Sequence, residues 1–172
     1  LVRQRLFVPL GMTSAGFGAP GTPDRVNQPR GHRENGKTVE PGRAADNPPA
    51  IAPAGAVRCT IADWAKFIQL HLNAEMGGPR ILSANSFRTL HTSSSALKSN
   101  YAMGWGVYDR DWAGGKVLTH NGTNTLWYCA VWIAPVKGFA VMAACNQGGK
   151  KAEKSVDEAA WMLVQQQLGL KH

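Results

Sequence analysis

Hydrophobic residues recur at helical spacing in three stretches of the first hundred positions. Residues 1–8 predict a short helix. A longer helix begins at Thr60, after which apolar residues return every third or fourth position until Gly77-Gly78-Pro79 ends it. A third, shorter helix is predicted over 83–91.

After Tyr101 the pattern changes to short apolar runs that are typical of strands, separated by turn residues. The last two runs are apolar on both faces, which indicates a sheet covered by helices on each side. The four predicted strands are 101–109, 116–120, 125–134 and 139–145.

The chain ends in a further predicted helix over 155–168, with Ser155 and Glu158 as a capping box. Its predicted buried stripe consists of Val156, Ala159, Ala160 and Leu163. The order of helices, antiparallel strands and a helix predicts an α+β fold, with an antiparallel β-sheet flanked by helices.

Between the first two helices lies a long proline-rich segment, residues 18–54, which carries seven of the ten prolines. A structureless loop of this length is unusual in a compact domain. We therefore expect either a functional loop or a segment that packs on protein outside this chain.

Composition and charge limit the classes of protein to which this chain can belong. The 172 residues suit one domain, and no apolar run approaches the length of about 18 residues that a membrane span needs. The net charge of +8 permits nucleic-acid binding, but the cations are scattered and no aromatic-rich nucleic-acid motif accompanies them. A basic nucleic-acid-binding module is accordingly the weakest of the functional alternatives, and we expect no nucleic-acid partner.

The three cysteines do not form a disulfide framework. Cys129 and Cys145 could face each other across a hairpin, although buried thiols are the commoner arrangement. Neither Cys nor His shows the spacing of a metal site, and His71 and His91 are expected to be surface or core residues. We expect no metal and no cofactor.

The most suggestive candidate for chemistry is His120-Asn121-Gly122-Thr123-Asn124, at the predicted junction of two strands. Gly122 would let a substrate approach the backbone closely. The N–H of Thr123 could then stabilise a developing oxyanion, and His120 could donate or shuttle a proton. An ordinary polar turn is the alternative.

Five stretches in order resemble the serine β-lactamase, D,D-peptidase and esterase family, close to its class C branch. Residues 5–13 resemble "RLFxPLGMxxT", residues 53–67 "PAGGLxSTAxDLAKF" and residues 101–107 "YGLGWGV". His120-Asn121-Gly122-Thr123 occupies the place of the Lys-Thr-Gly box, and residues 141–146 resemble the terminal strand with its Asn. The resemblance covers nearly the whole chain and implies the C-terminal part of the β-lactamase/transpeptidase-like fold.

The resemblance also implies roles for single residues. His120 takes the place of the box lysine, Gly122 that of its glycine, and Thr123 supplies an oxyanion-hole N–H. Asn146 matches an Asn near the substrate carboxylate. Asn121 departs from the usual Thr, which favours an esterase or peptidase over a β-lactamase. Asn121, Asn124 and Trp127 lie within the box or close after it and are predicted to contact substrate, Trp127 as a wall.

The family's Ser-x-x-Lys nucleophile motif and its Tyr-x-Asn motif both precede the segment at which this chain starts. With no initiator Met, this suggests part of a longer protein, incomplete over residues 1–172. Ser95-Ala96-Leu97-Lys98 matches the first motif but lies in a polar run, and Ser83-Ala84-Asn85 matches a Ser-x-Asn pattern by chance. Neither is taken as the family motif.

We therefore expect part of a serine acyl hydrolase that acts on a β-lactam, a D-Ala peptide or an ester, with this chain inactive alone. Its predicted partners are the small-molecule acyl substrate and the upstream part of the same enzyme, or a second copy of the chain. A non-catalytic β-lactamase-like binding module is the main alternative.

Overall fold

A computed structural model describes residues 1–74, 81–94 and 99–170. Its centre is a four-stranded antiparallel sheet whose strands pair in chain order. The strands are β5 (Gly106–Arg110), β6 (Gly115–Thr123), β7 (Tyr128–Ala134) and β8 (Phe139–Cys145). The α+β class with an antiparallel sheet flanked by helices is confirmed.

Four α-helices accompany the sheet in the described residues. They are α1 (Ala52–Gly55), α2 (Ile61–Leu72), α3 (Ala84–Leu90) and α4 (Lys150–Leu168). Arg3–Phe7 forms a π-helical turn where the first helix was predicted. Thr60 caps α2 by accepting a hydrogen bond from the Asp63 N–H, as its sequence indicates. The predicted end of that helix, Gly77-Gly78-Pro79, lies outside the described residues.

The sheet is covered on both faces, as the two-sided apolar strands predict. On one face Ile68 of α2 packs with Trp105, Leu118, Val131 and Ile133. On the other face α4 packs on β7 and β8 through Val156, Ala160 and Val164. Since alternate residues of a strand face opposite sides, each position of β6 points toward either the α2 side or the α4 side.

Helix α4 differs from its prediction at its start and in its buried stripe. It begins at Lys150, so Ser155 lies inside the helix and the predicted capping box is wrong. The buried positions are Ala152, Val156, Ala160 and Val164, a regular four-residue repeat. Ala159 is exposed and Leu163 is 40% exposed, so both were wrongly placed in the stripe.

The proline-rich segment is folded rather than structureless. It contains the hairpin of β2 (Gly31–His32) and β3 (Thr38–Val39), two short 3₁₀ turns and the start of α1. On either side of it, β1 (Gly16–Phe17) pairs with β4 (Val57–Arg58). The segment packs in part on the ends of the central strands of this same chain.

Candidate active site

The His-x-Gly stretch lies at the end of β6 and still belongs to the sheet. His120 pairs with Val131, and Thr123 pairs with Tyr128 on β7. The predicted strand of 116–120 is thus extended at both ends, and the turn is confined to residues 124–127. An ordinary polar turn is excluded for His120 to Thr123 because all four are paired strand residues.

One edge of β6 is uncovered beside this stretch. In the described part of the chain, β5 pairs with β6 only as far as Gly106 opposite Thr119. The Val107 N–H donates to the Asn100 carbonyl, away from β6. Gly106 and its partner Thr119 therefore form a hydrogen-bonded pair, and the Thr119 N–H is directed at β5. Since successive N–H groups of a strand alternate between its two edges, the Thr123 N–H is directed at the edge that β5 leaves uncovered. A donor at this position suits an oxyanion.

Tyr101 also lies at this stretch, although no feature of the sequence pattern indicated a contact with His120. Its hydroxyl lies 3.0 Å from His120 Nε2, and the two rings are 5.9 Å apart. The predicted strand over 101–109 begins in the structure only at Gly106, because the chain reverses at Gly104, whose φ is +90°. This reversal brings Tyr101 alongside Gly106 in an isolated bridge and next to the end of β6.

Asn121 faces the opposite side of the sheet from His120 and Gly122. Its amide donates to the Tyr128 hydroxyl at 2.8 Å, and that hydroxyl donates to Asp157 of α4 at 3.4 Å. Burial raises the pKa values of both Tyr128 and Asp157, so both are protonated more readily than usual. In this arrangement Asn121 ties the strand to α4.

Asn124 and Asn146 attach the proline-rich segment to the strand ends. Asn124 donates to Asp46 at 3.0 Å, and its Oδ1 accepts the N–H groups of residues 126 and 127. Asn146 donates to the Arg30 carbonyl at 2.9 Å, while its own carbonyl accepts from the His32 backbone N–H at 2.9 Å. Both asparagines thus hold the proline-rich segment against the ends of the central strands.

Trp127 is half-buried and packs against the backbone of the same segment. A Cβ built on Gly31 would lie 2.6 Å from Trp127 Nε1, so the indole occupies the space that this glycine leaves. Trp127 therefore lies between the β6–β7 turn and the proline-rich segment.

The cysteines are free thiols. Cys129 is opposite Ala144 and Cys145 is opposite Tyr128, so the two side chains point to opposite faces and the disulfide alternative is wrong. Burial raises the pKa of the Cys129 thiol. Within the described residues, no group of three or more His, Cys, Asp or Glu side chains is arranged to hold a metal ion.

The remaining candidates lie away from the stretch or outside the described residues. His71 and His91 form a buried pair with their ring nitrogens 2.8 Å apart, which places both in the core. Ser83 caps α3 by accepting from the Ser86 N–H. Ser95-Ala96-Leu97-Lys98 lies outside the described residues. No helix among those described is long and apolar enough to cross a bilayer.

Comparison with known proteins gives the same assignment as the motifs. The model of the family described as "Beta-lactamase" matches residues 1–166. This chain belongs to the β-lactamase family. This chain is 30% identical to "Penicillin-binding protein 4" of Amycolatopsis lactamdurans over 159 residues. The aligned region covers 86% of this chain and 41% of that relative.

Two solved structures share the fold of this β-lactamase-family chain. One is the octameric penicillin-binding protein homologue from Pyrococcus abyssi, with a TM-score of 0.69 and 18% identity over 99% of this chain and 37% of that one. The other is the crystal structure of SurE, with a TM-score of 0.68 and 18% identity over 97% of this chain and 40% of that one. The chain spans about two-fifths of the length of these relatives.

Proposed function

We propose that residues 1–172 are the C-terminal region of a serine acyl hydrolase that works through an acyl-serine intermediate. The observation that carries the proposal is the uncovered edge of β6, where His120 and Thr123 lie one and four residues beyond Thr119, the last residue of β6 that pairs with β5. Membership of the β-lactamase family supports it.

In this proposal each residue of the stretch has a separate part. The Thr123 N–H donates to the oxyanion of the tetrahedral intermediate, and Gly122 lets the acyl group lie against the strand. His120 holds or moves a proton on the leaving-group side. Trp127 and Asn124 border the substrate.

The other two asparagines differ in how they contribute. Asn146 follows β8 directly and borders the substrate, while its side-chain amide donates to the Arg30 carbonyl. Asn121 acts from the far face of the sheet, by keeping β6 against Tyr128. We assign no cofactor to the reaction.

The nucleophilic serine and the general base belong, in this proposal, to an upstream part of the same enzyme. The substrate is an acyl compound of the family's kind: a β-lactam, a D-Ala peptide or an ester. Similarity to a penicillin-binding protein supports this class. Self-association is a second way to complete the site, and the octameric homologue supports it.

The proposal is tested by labelling with fluorescent penicillin and a fluorophosphonate, applied to this chain and to the longer protein with its upstream residues. We expect stoichiometric acylation of the longer protein and none of the chain alone. Stoichiometric acylation of this chain would overturn the assignment of the nucleophile. A longer protein that contains no upstream Ser-x-x-Lys and resists both probes would instead be a binding module.

A substitution at Gly122 tests the role of the strand itself. Among the described residues, a Cβ there would meet only Cys129 Sγ, at 3.7 Å, so Gly122→Ala should fold normally while its methyl group intrudes where the substrate lies. We expect acylation of the longer protein to slow by about 10- to 100-fold, as small misplacements of reacting groups do. Gly42→Ala is the control, because a Cβ there meets no heavy atom of the described residues within 4 Å.

A further inference from the structure

We propose that Tyr101 is a positioning residue that fixes the proton of neutral His120 on Nδ1, by donating its hydroxyl hydrogen to Nε2. The inference rests on the proposed function for its catalytic meaning, because His120 is the proton-carrying group of that site. The contact itself is a property of this chain and is measurable without catalysis.

The contact between the two rings is not a by-product of core packing. Tyr101 is 50% exposed and His120 is also exposed, so burial contributes little to holding them together. Their polar ends nevertheless meet at 3.0 Å, within hydrogen-bond distance. Two exposed side chains that meet by their polar atoms point to a role in chemistry more than in folding.

The backbone around Tyr101 is built to hold it there. The Tyr101 N–H donates to Ser99 Oγ at 3.1 Å, and the Ala102 N–H donates to the Trp105 carbonyl at 2.7 Å. The Val107 N–H donates to the Asn100 carbonyl at 2.7 Å, so the reversal is closed on both sides of Tyr101. Trp105 is buried and anchors this reversal in the core beside Ile68.

The chemistry of the two groups decides the direction of the hydrogen bond. A phenol hydroxyl is a stronger acid than a neutral imidazole N–H, so the hydroxyl is the better donor and the imidazole nitrogen the better acceptor. In a histidine ring, the hydrogen bond made by one nitrogen determines which nitrogen carries the proton. With Nε2 accepting from Tyr101, the remaining proton is on Nδ1, which becomes the nitrogen that can donate to a substrate.

The test is ¹⁵N NMR of the histidine side chains in this chain at neutral to alkaline pH, which distinguishes protonated from unprotonated ring nitrogens. We expect Nε2 of His120 to be the unprotonated nitrogen in the wild type. In Tyr101→Phe, which keeps the ring and removes the hydroxyl, the tautomer ratio should move toward Nε2–H by about two- to tenfold, the effect of one neutral hydrogen bond.

Tyr108→Phe is the matched control, because Tyr108 lies on β5 with its ring beside Gly106 and Arg110 and should leave the His120 signals unchanged. A predominantly Nε2–H wild type, or a ratio that does not change in Tyr101→Phe, would overturn the inference. Acylation of the longer protein is a separate readout. If the probes fail while the tautomer shifts as expected, the proposed function falls and the role of Tyr101 in fixing the tautomer stands.

Discussion

Replacing Gly31 with alanine should loosen the proline-rich segment from the strands that it adjoins. The new Cβ would lie 2.6 Å from Trp127 Nε1 and 2.9 Å from Leu126 Cβ. Because contacting heavy atoms normally lie about 3.5–4.0 Å apart, these groups must withdraw by roughly 1 Å. The Leu126 atom is fixed to the backbone, and the Leu126 carbonyl accepts from the His32 N–H next to Gly31, so the strain falls on that pairing.

We expect Gly31→Ala to lower the free energy of unfolding by about 2 kcal/mol, the usual cost of overpacking. For a chain of this size that corresponds to a fall of about 4–8 °C in melting temperature, measured by circular dichroism or calorimetry. Gly42→Ala is the control, since its extended backbone accepts a Cβ and no heavy atom in the described part of the chain would lie within 4 Å of that Cβ. A Gly31→Ala melting temperature within about 2 °C of that control would refute the reasoning.

Three further predictions concern stability. The hydrogen bond from Lys66 lowers the pKa of Asp63 from 3.8 to about 2, so the ionised carboxylate stabilises the fold fully above pH 3.8 and this stabilisation is lost as the pH falls toward 2. Asp63→Asn should remove this part of an acid-unfolding curve, and an unchanged curve would contradict the prediction. Burial lowers the pKa of His71 from 6.5 to about 4, so the free energy of unfolding, measured by urea titration, should fall by up to about 3 kcal/mol between pH 6.5 and 4. His71→Gln should reduce this pH dependence, and a wild type without it would contradict the prediction. Val164→Ala should cost about 2 kcal/mol and Leu163→Ala less than about 0.5 kcal/mol, since their exposures are 1% and 40%; equal costs would contradict the observed packing.

The helices and strands were largely predictable because most of their signals are local. The Thr60 cap of α2 and the αL turn at Gly138 between β7 and β8 are examples. The start of α4 could not be predicted from the local sequence, because the Lys150 N–H donates to the carboxylate of Glu34, more than a hundred residues away. The nearer Ser155 satisfied the sequence rule equally well, so only the tertiary contact decides between them.

Some residues of the candidate site could be predicted from the sequence and others could not. The His-x-Gly stretch could be found because its motif is contiguous and lies in a fixed order among the other family segments. The partnership of Tyr101 with His120 depends on the reversal at Gly104, which interrupts an otherwise plausible strand. Likewise, the tethering of Asn146 to Arg30 joins residues 116 positions apart and leaves no periodic trace in the sequence.

The position of Asn121 changes what its departure from threonine means. From sequence, the loss of a hydroxyl in the box weakens a β-lactamase reading relative to an esterase or peptidase. In the structure this side chain is on the α4 face and donates to Tyr128, while His120 is on the α2 face. The asparagine thus serves a contact that lies behind the strand, so its identity says more about how β6 is held than about which acyl group is bound. In the proposed hydrolase, we therefore expect discrimination among substrates to depend on groups beside the uncovered edge, where Tyr101 contacts His120.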